Sequence, residues 1–123
     1  MEAPKNKVLC VEDHADVCEL ITFFLRSYEV VSAPSGRKAI EKLGQESFSL
    51  IILDYHLPDR SGEDICLQIR SSDKDTPIVF FTADENYSTE RALSIGAQAI
   101  VRKSGPDFLL RLEKAVDEHV RPV

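Results

Sequence analysis

The chain has 123 residues, which is the size of one ordinary globular domain and too short for two separate hydrophobic cores. Apolar residues make up 43% and charged residues 29%, a balance that excludes a disordered or fibrous protein. The net charge is −6 and the Lys and Arg residues form no basic stripe, so we expect no direct contact with nucleic acid. We expect residues 1–123 to form a single domain.

No segment has the run of roughly 20 apolar residues that is needed to cross a bilayer. Residues 1–7 lack the apolar core of a signal peptide, so we expect a cytoplasmic protein with no membrane partner. Three cysteines, Cys10, Cys18 and Cys66, lack the close Cys or His spacing of a zinc site. Each lies in an apolar pattern, which indicates a buried free thiol.

Five apolar runs predict β-strands. In chain order they are Val8–Val11, Val30–Val31, Leu50–Leu53, Ile78–Phe81 and Ala99–Val101. Four of the runs are continuous rather than alternating, which is typical of a parallel sheet covered by helices on both faces. The second run is short, and we expect it at an edge of the sheet.

The intervals between the strands have helical periodicity. The first interval predicts one buried stripe, formed by Val17, Leu20, Ile21, Phe24 and Leu25. Shorter stripes follow in the second and third intervals, and Ser61 with Asp64 has the spacing of a capping box before the third helix. Residues 90–95 predict a fourth, weaker helix.

The last helix has the strongest pattern of the five. Its predicted buried side is formed by Leu109, Leu112, Ala115, Val116 and Val120. Pro106 suits the first turn, where a missing N–H costs nothing. Strict alternation of strand and helix, repeated five times, predicts an α/β fold with a doubly wound parallel sheet and right-handed crossovers.

Polar residues follow the apolar runs at the strand ends. Glu12 and Asp13 follow the first strand, Asp54 the third, Thr82 the fourth, and Lys103 closes the fifth. Because ligands of open parallel sheets bind at the carboxyl ends of the strands, we expect these side chains to converge in one cleft. Clustered carboxylates favour a hard divalent cation, Mg²⁺ or Mn²⁺ rather than zinc. A carboxylate beside a metal ion and a lysine is a competent nucleophile toward a phosphoryl group.

The sequence resembles the response-regulator receiver domain of bacterial two-component systems along essentially its whole length. The residues that carry the resemblance are Glu12-Asp13, Asp54 within the segment 52–62, Thr82-Ala83, Gly96-Ala97 and Lys103. The resemblance implies a flavodoxin-like fold with strand order 2-1-3-4-5. It also implies a signalling phosphoacceptor rather than an enzyme, with at most slow self-dephosphorylation.

The resemblance assigns a role to each matching position. Asp54 would be phosphorylated by a histidine kinase or a histidine phosphotransfer protein. Asp13 would bind Mg²⁺ directly, Glu12 would hold it, and the backbone carbonyl of His56 would add a ligand. Thr82 would hydrogen-bond one phosphoryl oxygen and Lys103 would pair with another. The phosphorylated surface would then bind a downstream effector, which the sequence does not identify.

Two positions depart from the family pattern. Ile100 stands where the family usually has an aromatic residue that reports phosphorylation. Ser104 stands where the family usually has a proline after a cis bond, a geometry that costs a non-proline residue roughly 3–4 kcal/mol. We therefore expect the phosphoryl chemistry to be kept and the conformational response to be muted.

Three other functions are compatible with a doubly wound sheet. A nucleotide or flavin enzyme would need a phosphate-binding loop after the first strand, where residues 12–16 are acidic. A haloacid-dehalogenase-type hydrolase would need a second Asp where His56 stands. The third is a receiver-fold docking module that acts without phosphorylation, and Ile100 and Ser104 keep that alternative open. We expect His56 at the mouth of the site and His14 as an exposed residue of the first helical turn.

Overall fold

A computed structural model describes residues 5–121, and the first four and last two residues lie outside the described part. Residues 1–7, which we expect not to be a signal peptide, are therefore only partly covered. Five strands form one parallel sheet in the order β2-β1-β3-β4-β5, as the resemblance implies. Their bounds are β1 Lys7–Val11, β2 Glu29–Ala33, β3 Leu50–Leu53, β4 Ile78–Thr82 and β5 Ala99–Arg102. β2 forms an edge of the sheet, as predicted, although it is three residues longer than its apolar run.

Five helices connect and follow the strands. Their bounds are α1 Ala15–Phe24, α2 Gly36–Gln45, α3 Gly62–Arg70, α4 Thr89–Ser94 and α5 Phe108–His119. α3 begins at the predicted cap, because the Ser61 hydroxyl accepts a hydrogen bond from the Asp64 N–H at 3.1 Å. The alternation of strands and helices confirms the predicted doubly wound α/β fold.

The sheet separates two hydrophobic clusters. On one face α2, α3 and α4 cover alternate residues of the strands, among them Leu9 and Val11. On the other face α1 and α5 cover the intervening residues, among them Val8 and Cys10. β3 and β4 are buried along their whole length, which is why their sequences are continuously apolar. This double covering holds the carboxyl ends of the strands in fixed positions at one edge.

Three local predictions are wrong. Leu20 is 45% exposed because it lies beside the stripe of α1 that faces the sheet, whereas Ile21 and Leu25 are fully buried. α5 begins at Phe108, so Pro106 lies in the turn before the helix rather than in its first turn. Cys18 is half-buried, while Cys10 and Cys66 are buried. Among the helices of residues 5–121, none combines the length and apolarity that crossing a bilayer requires.

Candidate functional site

The ends of three neighbouring strands bring two buried carboxylates together. The Asp54 N–H donates to the carbonyl of Val11 at 3.1 Å, which places the residue after β3 beside the end of β1. The Glu12 N–H donates to the carbonyl of Ala33 at 3.1 Å, on the other side of β1. Glu12 is 2% exposed and Asp54 is 6% exposed. Strand pairing therefore forces both acids into the same small space, as the sequence predicts.

Lys103 supplies the positive charge of this space. Its backbone N–H donates to the Thr82 carbonyl at 2.8 Å, which fixes the residue after β5 next to the end of β4. The Nζ atom lies 3.0 Å from Asp54 Oδ2 and also donates to Glu12 Oε1. The Phe81 ring packs under the ammonium, with its centroid 5.3 Å from Nζ. One lysine thus bridges two acids from different strands.

The two acids respond differently to these surroundings. Burial raises the pKa of Asp54 above its ordinary value, and the attraction of Lys103 offsets this only in part. Burial also disfavours the charged form of Glu12, but hydrogen bonds from Lys103 and from His14 outweigh burial and lower the pKa of Glu12. Burial opposes the charge of Lys103, and its bonds to the two acids prevail and raise its pKa. The site therefore holds one well-stabilised carboxylate and one poorly stabilised one.

Four residues have ligand atoms within 4.8 Å of one another, namely Glu12, Asp13, His14 and Asp54. Three of them are the predicted metal-binding acids, and carboxylate oxygens are the donors that Mg²⁺ prefers. The donor set of this edge fits a hard divalent cation. The Asp13 side chain is 31% exposed, so the acidic cluster is open to solvent on this side.

His14 has contacts that the sequence analysis did not assign to it. It is exposed, as predicted, but it is the N-cap residue of α1 rather than part of the first turn. Its Nδ1 atom lies 3.0 Å from Glu12 Oε2 and 3.2 Å from Asp13 Oδ1. The hydrogen bond with Glu12 and the charge of Asp13 raise the pKa of His14. The position of His14 directly after Glu12 and Asp13 is the feature of the sequence that could have predicted these contacts.

Thr82 lies at the end of β4 and is fully buried. Its Oγ1 atom accepts a hydrogen bond from the Asp84 N–H at 3.1 Å, so the hydroxyl is tied to the loop that follows the strand. The His56 side chain, predicted at the mouth of the site, is exposed, and its Nε2 atom is 2.7 Å from Asp84 Oδ2. Asp84 was not predicted as a site residue, although it follows Thr82 by only two positions.

The structure brings the predicted residues to one edge of the sheet, but not into one contact network. Lys103 contacts Glu12 and Asp54 directly, and Asp13 lies with the two acids in the cluster of ligand atoms. Thr82 reaches the loop through Asp84. The peptide bond after Lys103 is trans, in keeping with the serine at position 104.

Comparisons with known proteins agree with this geometry. The family model described as the response regulator receiver domain matches residues 8–113. The alkaline phosphatase synthesis transcriptional regulatory protein PhoP of Bacillus subtilis is 33% identical over 101 residues, which cover 80% of this chain and 42% of that protein. The chain therefore spans less than half the length of this relative.

Two solved structures share the fold. The response regulator TrrA of Thermotoga maritima, in complex with Mg²⁺-BeF, is 28% identical with a TM-score of 0.84, covering 94% of this chain and 99% of that one. The BeF₃-activated receiver domain of Klebsiella pneumoniae RstA is 31% identical with a TM-score of 0.84, covering 95% and 100%. The sequence match, the strand order and the acidic cluster lead to one conclusion: this chain belongs to the family of response regulator receiver domains of two-component signalling.

Proposed function

We propose that residues 1–123 form one receiver domain that accepts a phosphoryl group on Asp54. The donor is a histidine kinase or a histidine phosphotransfer protein. One observation carries the proposal: a buried carboxylate with a raised pKa lies 3.0 Å from a lysine that also holds a second acid. This arrangement provides a nucleophile and a fixed cation within reach of the same incoming group.

The transfer itself requires little of the protein beyond position and charge. A carboxylate oxygen of Asp54 forms a bond to phosphorus while the bond from phosphorus to the donor histidine nitrogen breaks. The electron pair of that bond stays with the imidazole. Lys103 then faces a phosphoryl oxygen in place of the Asp54 oxygen that it contacts now. Glu12 keeps the ammonium in place during the exchange, because its own hydrogen bond to Lys103 is independent of Asp54.

We propose that Glu12, Asp13 and Asp54, together with the backbone carbonyl of His56, hold Mg²⁺, with Mn²⁺ as a substitute. The clustered oxygen donors support this assignment, and so does the Mg²⁺-BeF complex of the related TrrA. When bound, the cation neutralises charge on the transferring phosphoryl oxygens. Asp13 is the more accessible of the two adjacent acids, so it is the direct ligand and Glu12 is the supporting one.

The proposed output is a change of the surface that a downstream effector binds. Thr82 turns its hydroxyl toward a phosphoryl oxygen and gives up the hydrogen bond from Asp84. In this proposal the domain is a cytoplasmic signalling module, and its own catalytic activity is at most slow self-dephosphorylation. The alternative is a docking module that binds partners without phosphorylation, and the intact group of Asp54, Glu12 and Lys103 supports the phosphoacceptor instead.

The acceptor is tested with acetyl phosphate and Mg²⁺, followed by intact-mass measurement. We expect the wild type to gain one phosphoryl group and Asp54→Asn to gain none. Asp64→Asn is the matched control, because Asp64 is an exposed acid of α3 that should leave labelling unchanged. If Asp54→Asn is labelled at the wild-type level, the acceptor assignment is wrong. If the wild type stays unlabelled with kinase and with acetyl phosphate, the docking alternative gains support.

The metal assignment is tested by the stability of the protein with and without Mg²⁺. A cation that binds only the folded chain raises the midpoint of thermal unfolding as its concentration rises. We expect this increase in the wild type and its loss in Asp13→Ala. The affinity should be weak, since few protein ligands hold the ion and several waters remain on it. An equal Mg²⁺-dependent increase in both proteins would overturn the ligand set.

A further inference from the structure

One buried tyrosine lies between α4 and the loop of residues 54–61, which joins β3 to α3 and which we call the acceptor loop. Tyr87 belongs to the loop between β4 and α4 and is only 8% exposed, although most of that loop is exposed. Its ring packs on Tyr55, with the centroids 4.3 Å apart, and meets the edge of Phe80 at 5.3 Å. Tyr55 directly follows Asp54. The Tyr87 ring is thus one residue removed from the proposed phosphorylation site.

The hydroxyl of Tyr87 is bound at the far side of the ring. It donates to Glu63 Oε1 at 3.0 Å, and Arg91 of α4 holds both oxygens of the same carboxylate at 2.9 Å. Glu63 lies in the first turn of α3, and Arg91 lies near the middle of α4. The three side chains therefore tie α3, the loop and α4 together. We call this group the Tyr87 latch.

The loop between β4 and α4 is hydrogen-bonded to Thr82 at its other end. The Thr82 hydroxyl accepts from the Asp84 N–H, and the Asp84 carboxylate accepts from the Asn86 N–H at 2.9 Å. The Asp84 carbonyl also accepts from Arg102 of β5 at 2.7 Å. A continuous series of hydrogen bonds thus links Thr82 to the residue that precedes Tyr87. If the Thr82 hydroxyl turns away, Asp84 loses the first bond of this series.

Ile100 is poorly suited to report that event. It is paired with Phe80 across β4 and β5 and belongs to the same hydrophobic cluster as Tyr87. Its branched side chain has restricted rotation about χ1 and carries no polar group. Tyr87 is larger, has a hydrogen-bonded hydroxyl and lies on the loop that Thr82 controls. The features of a reporter side chain are present at position 87 instead of position 100.

We propose that Tyr87 reports phosphorylation in this chain: it is latched to Glu63 in the unphosphorylated form and is released when Thr82 binds the phosphoryl group. This inference rests on the proposed function of Asp54. Release removes one of the partners of the Glu63 carboxylate and uncovers the ring at the junction of α3 and α4. A partner that prefers the phosphorylated form would then find an exposed tyrosine side chain at this junction, while the Glu63 carboxylate stays paired with Arg91. Ile100 changes little in this mechanism.

The test uses ¹⁹F NMR of protein labelled with 3-fluorotyrosine, with beryllofluoride and Mg²⁺ as the phosphoryl mimic. The chain has three tyrosines, Tyr28, Tyr55 and Tyr87, so each signal is assigned by a single Tyr→Phe variant. Fluorine of bound beryllofluoride appears in the same spectra and reports whether the adduct has formed. We expect the Tyr87 signal to shift toward that of a solvent-exposed tyrosine, while the Tyr28 signal stays in place.

The latch also predicts the sign of a mutational effect. Tyr87→Phe keeps the ring and removes the bond to Glu63, so it should favour the released form and tighten beryllofluoride binding about fivefold, the effect of one hydrogen bond. Glu63→Gln should act in the same direction. Tyr28→Phe is the matched control, because Tyr28 donates to Asp117 at 2.5 Å on the other face of the sheet. It should leave the affinity unchanged.

The outcomes separate the two proposals. If beryllofluoride binds and the Tyr87 signal does not move, the latch is refuted and the acceptor function stands. If Tyr87→Phe weakens binding, or changes it no more than Tyr28→Phe does, the hydroxyl has only a structural role and the latch is refuted as well. If no adduct forms in the folded wild type, the proposed function fails and the latch fails with it.

Discussion

Gly62 offers the sharpest test of how closely the acceptor loop is packed. It is the first residue of α3 and is buried, and its N–H donates to the Tyr55 carbonyl at 2.5 Å. A Cβ atom at this position would lie 2.1 Å from the Asp54 carbonyl oxygen and 2.9 Å from the Tyr55 Cα atom. Both neighbours are backbone atoms, so neither can rotate away. Gly62→Ala should therefore force the loop and the helix apart.

The size of the effect follows from the shortfall in distance. An ordinary contact between carbon and carbonyl oxygen is about 3.3 Å, so the 2.1 Å contact is about 1.2 Å too short. Overpacking of this kind costs about 1–3 kcal/mol, and we expect about 3 kcal/mol because backbone rather than side chain must move. The displaced residue is Asp54, whose Oδ2 atom now lies 3.0 Å from Lys103. Phosphoryl uptake should fall together with stability.

The assay is urea denaturation of Gly62→Ala beside a second glycine variant. Gly44 lies in the last turn of α2, and a Cβ atom added there would have no neighbour within 4 Å. Gly44→Ala should stabilise the protein by about 0.5–1 kcal/mol, because alanine restricts the unfolded chain and favours helix. The same substitution is thus expected to have opposite signs at the two positions.

A stability of Gly62→Ala within about 0.5 kcal/mol of the wild type would refute this reasoning, since the loop would then have room for a methyl group. A Gly62→Ala variant that is destabilised yet takes up phosphoryl groups at the wild-type rate would refute the predicted loss of phosphoryl uptake. In that case the loop moves without displacing Asp54 from Lys103. Measurement of both quantities on the same preparation distinguishes these results.

Two further predictions concern charge and pH. Asp54→Asn should stabilise the Mg²⁺-free protein by about 1 kcal/mol near neutral pH, because burial raises the pKa of Asp54 and its ionised form opposes folding. This gain should fade as the pH falls through the raised pKa, and urea denaturation that shows no gain at any pH would contradict it. Asp73→Ala should cost about 1–2 kcal/mol at neutral pH, because the carboxylate accepts bonds from Asp75 and Thr76. Burial disfavours the charge of Asp73, but the bonds from Thr76 prevail and lower its pKa, so wild type and variant should converge in stability as the pH falls through that pKa.

The strands could be predicted from the sequence because a strand that is buried on both faces has a continuous run of apolar residues. Continuous apolar runs mark β3 and β4, which are buried at every position. The run at β2 is short because only Ala33 of this edge strand is fully buried. The order of the strands rests on the family resemblance, since apolar runs do not say which strands pair.

The acidic site was predictable for a similar reason. Carboxyl ends of parallel strands meet at one edge, so residues that directly follow strands must be neighbours. Lys103 lies 49 positions from Asp54 and 91 positions from Glu12 in the sequence. All three residues nevertheless follow a strand directly. The sequence did not indicate that one lysine contacts both acids, because that depends on the side-chain conformation in the folded protein.

The loop contacts could not be predicted. Tyr87 and Glu63 are 24 positions apart, and His56 and Asp84 are 28 apart. None of these residues follows a strand directly, and no periodic pattern marks them. The capping of α2 illustrates the same limit, since the Asp59 carboxylate accepts from the backbone N–H groups of Gly36 and Arg37 at 2.9 Å. Such contacts appear only when separate loops are brought together by the fold.

The difference between Glu12 and Asp54 supports the proposal that Asp54, and not Glu12, accepts the phosphoryl group. Both acids contact the same lysine, but Glu12 also accepts hydrogen bonds from the backbone and the ring of His14. Asp54 has a backbone bond from Tyr55 besides Lys103, and burial dominates its pKa. A nearby cation therefore stabilises the charge of Asp54 more than that of Glu12. The buried charge of Asp54 is tolerated because the pairing of β1 with β3 fixes its position. A carboxylate as well satisfied as Glu12 would be a weaker nucleophile, since attack would require it to give up bonds that it already makes.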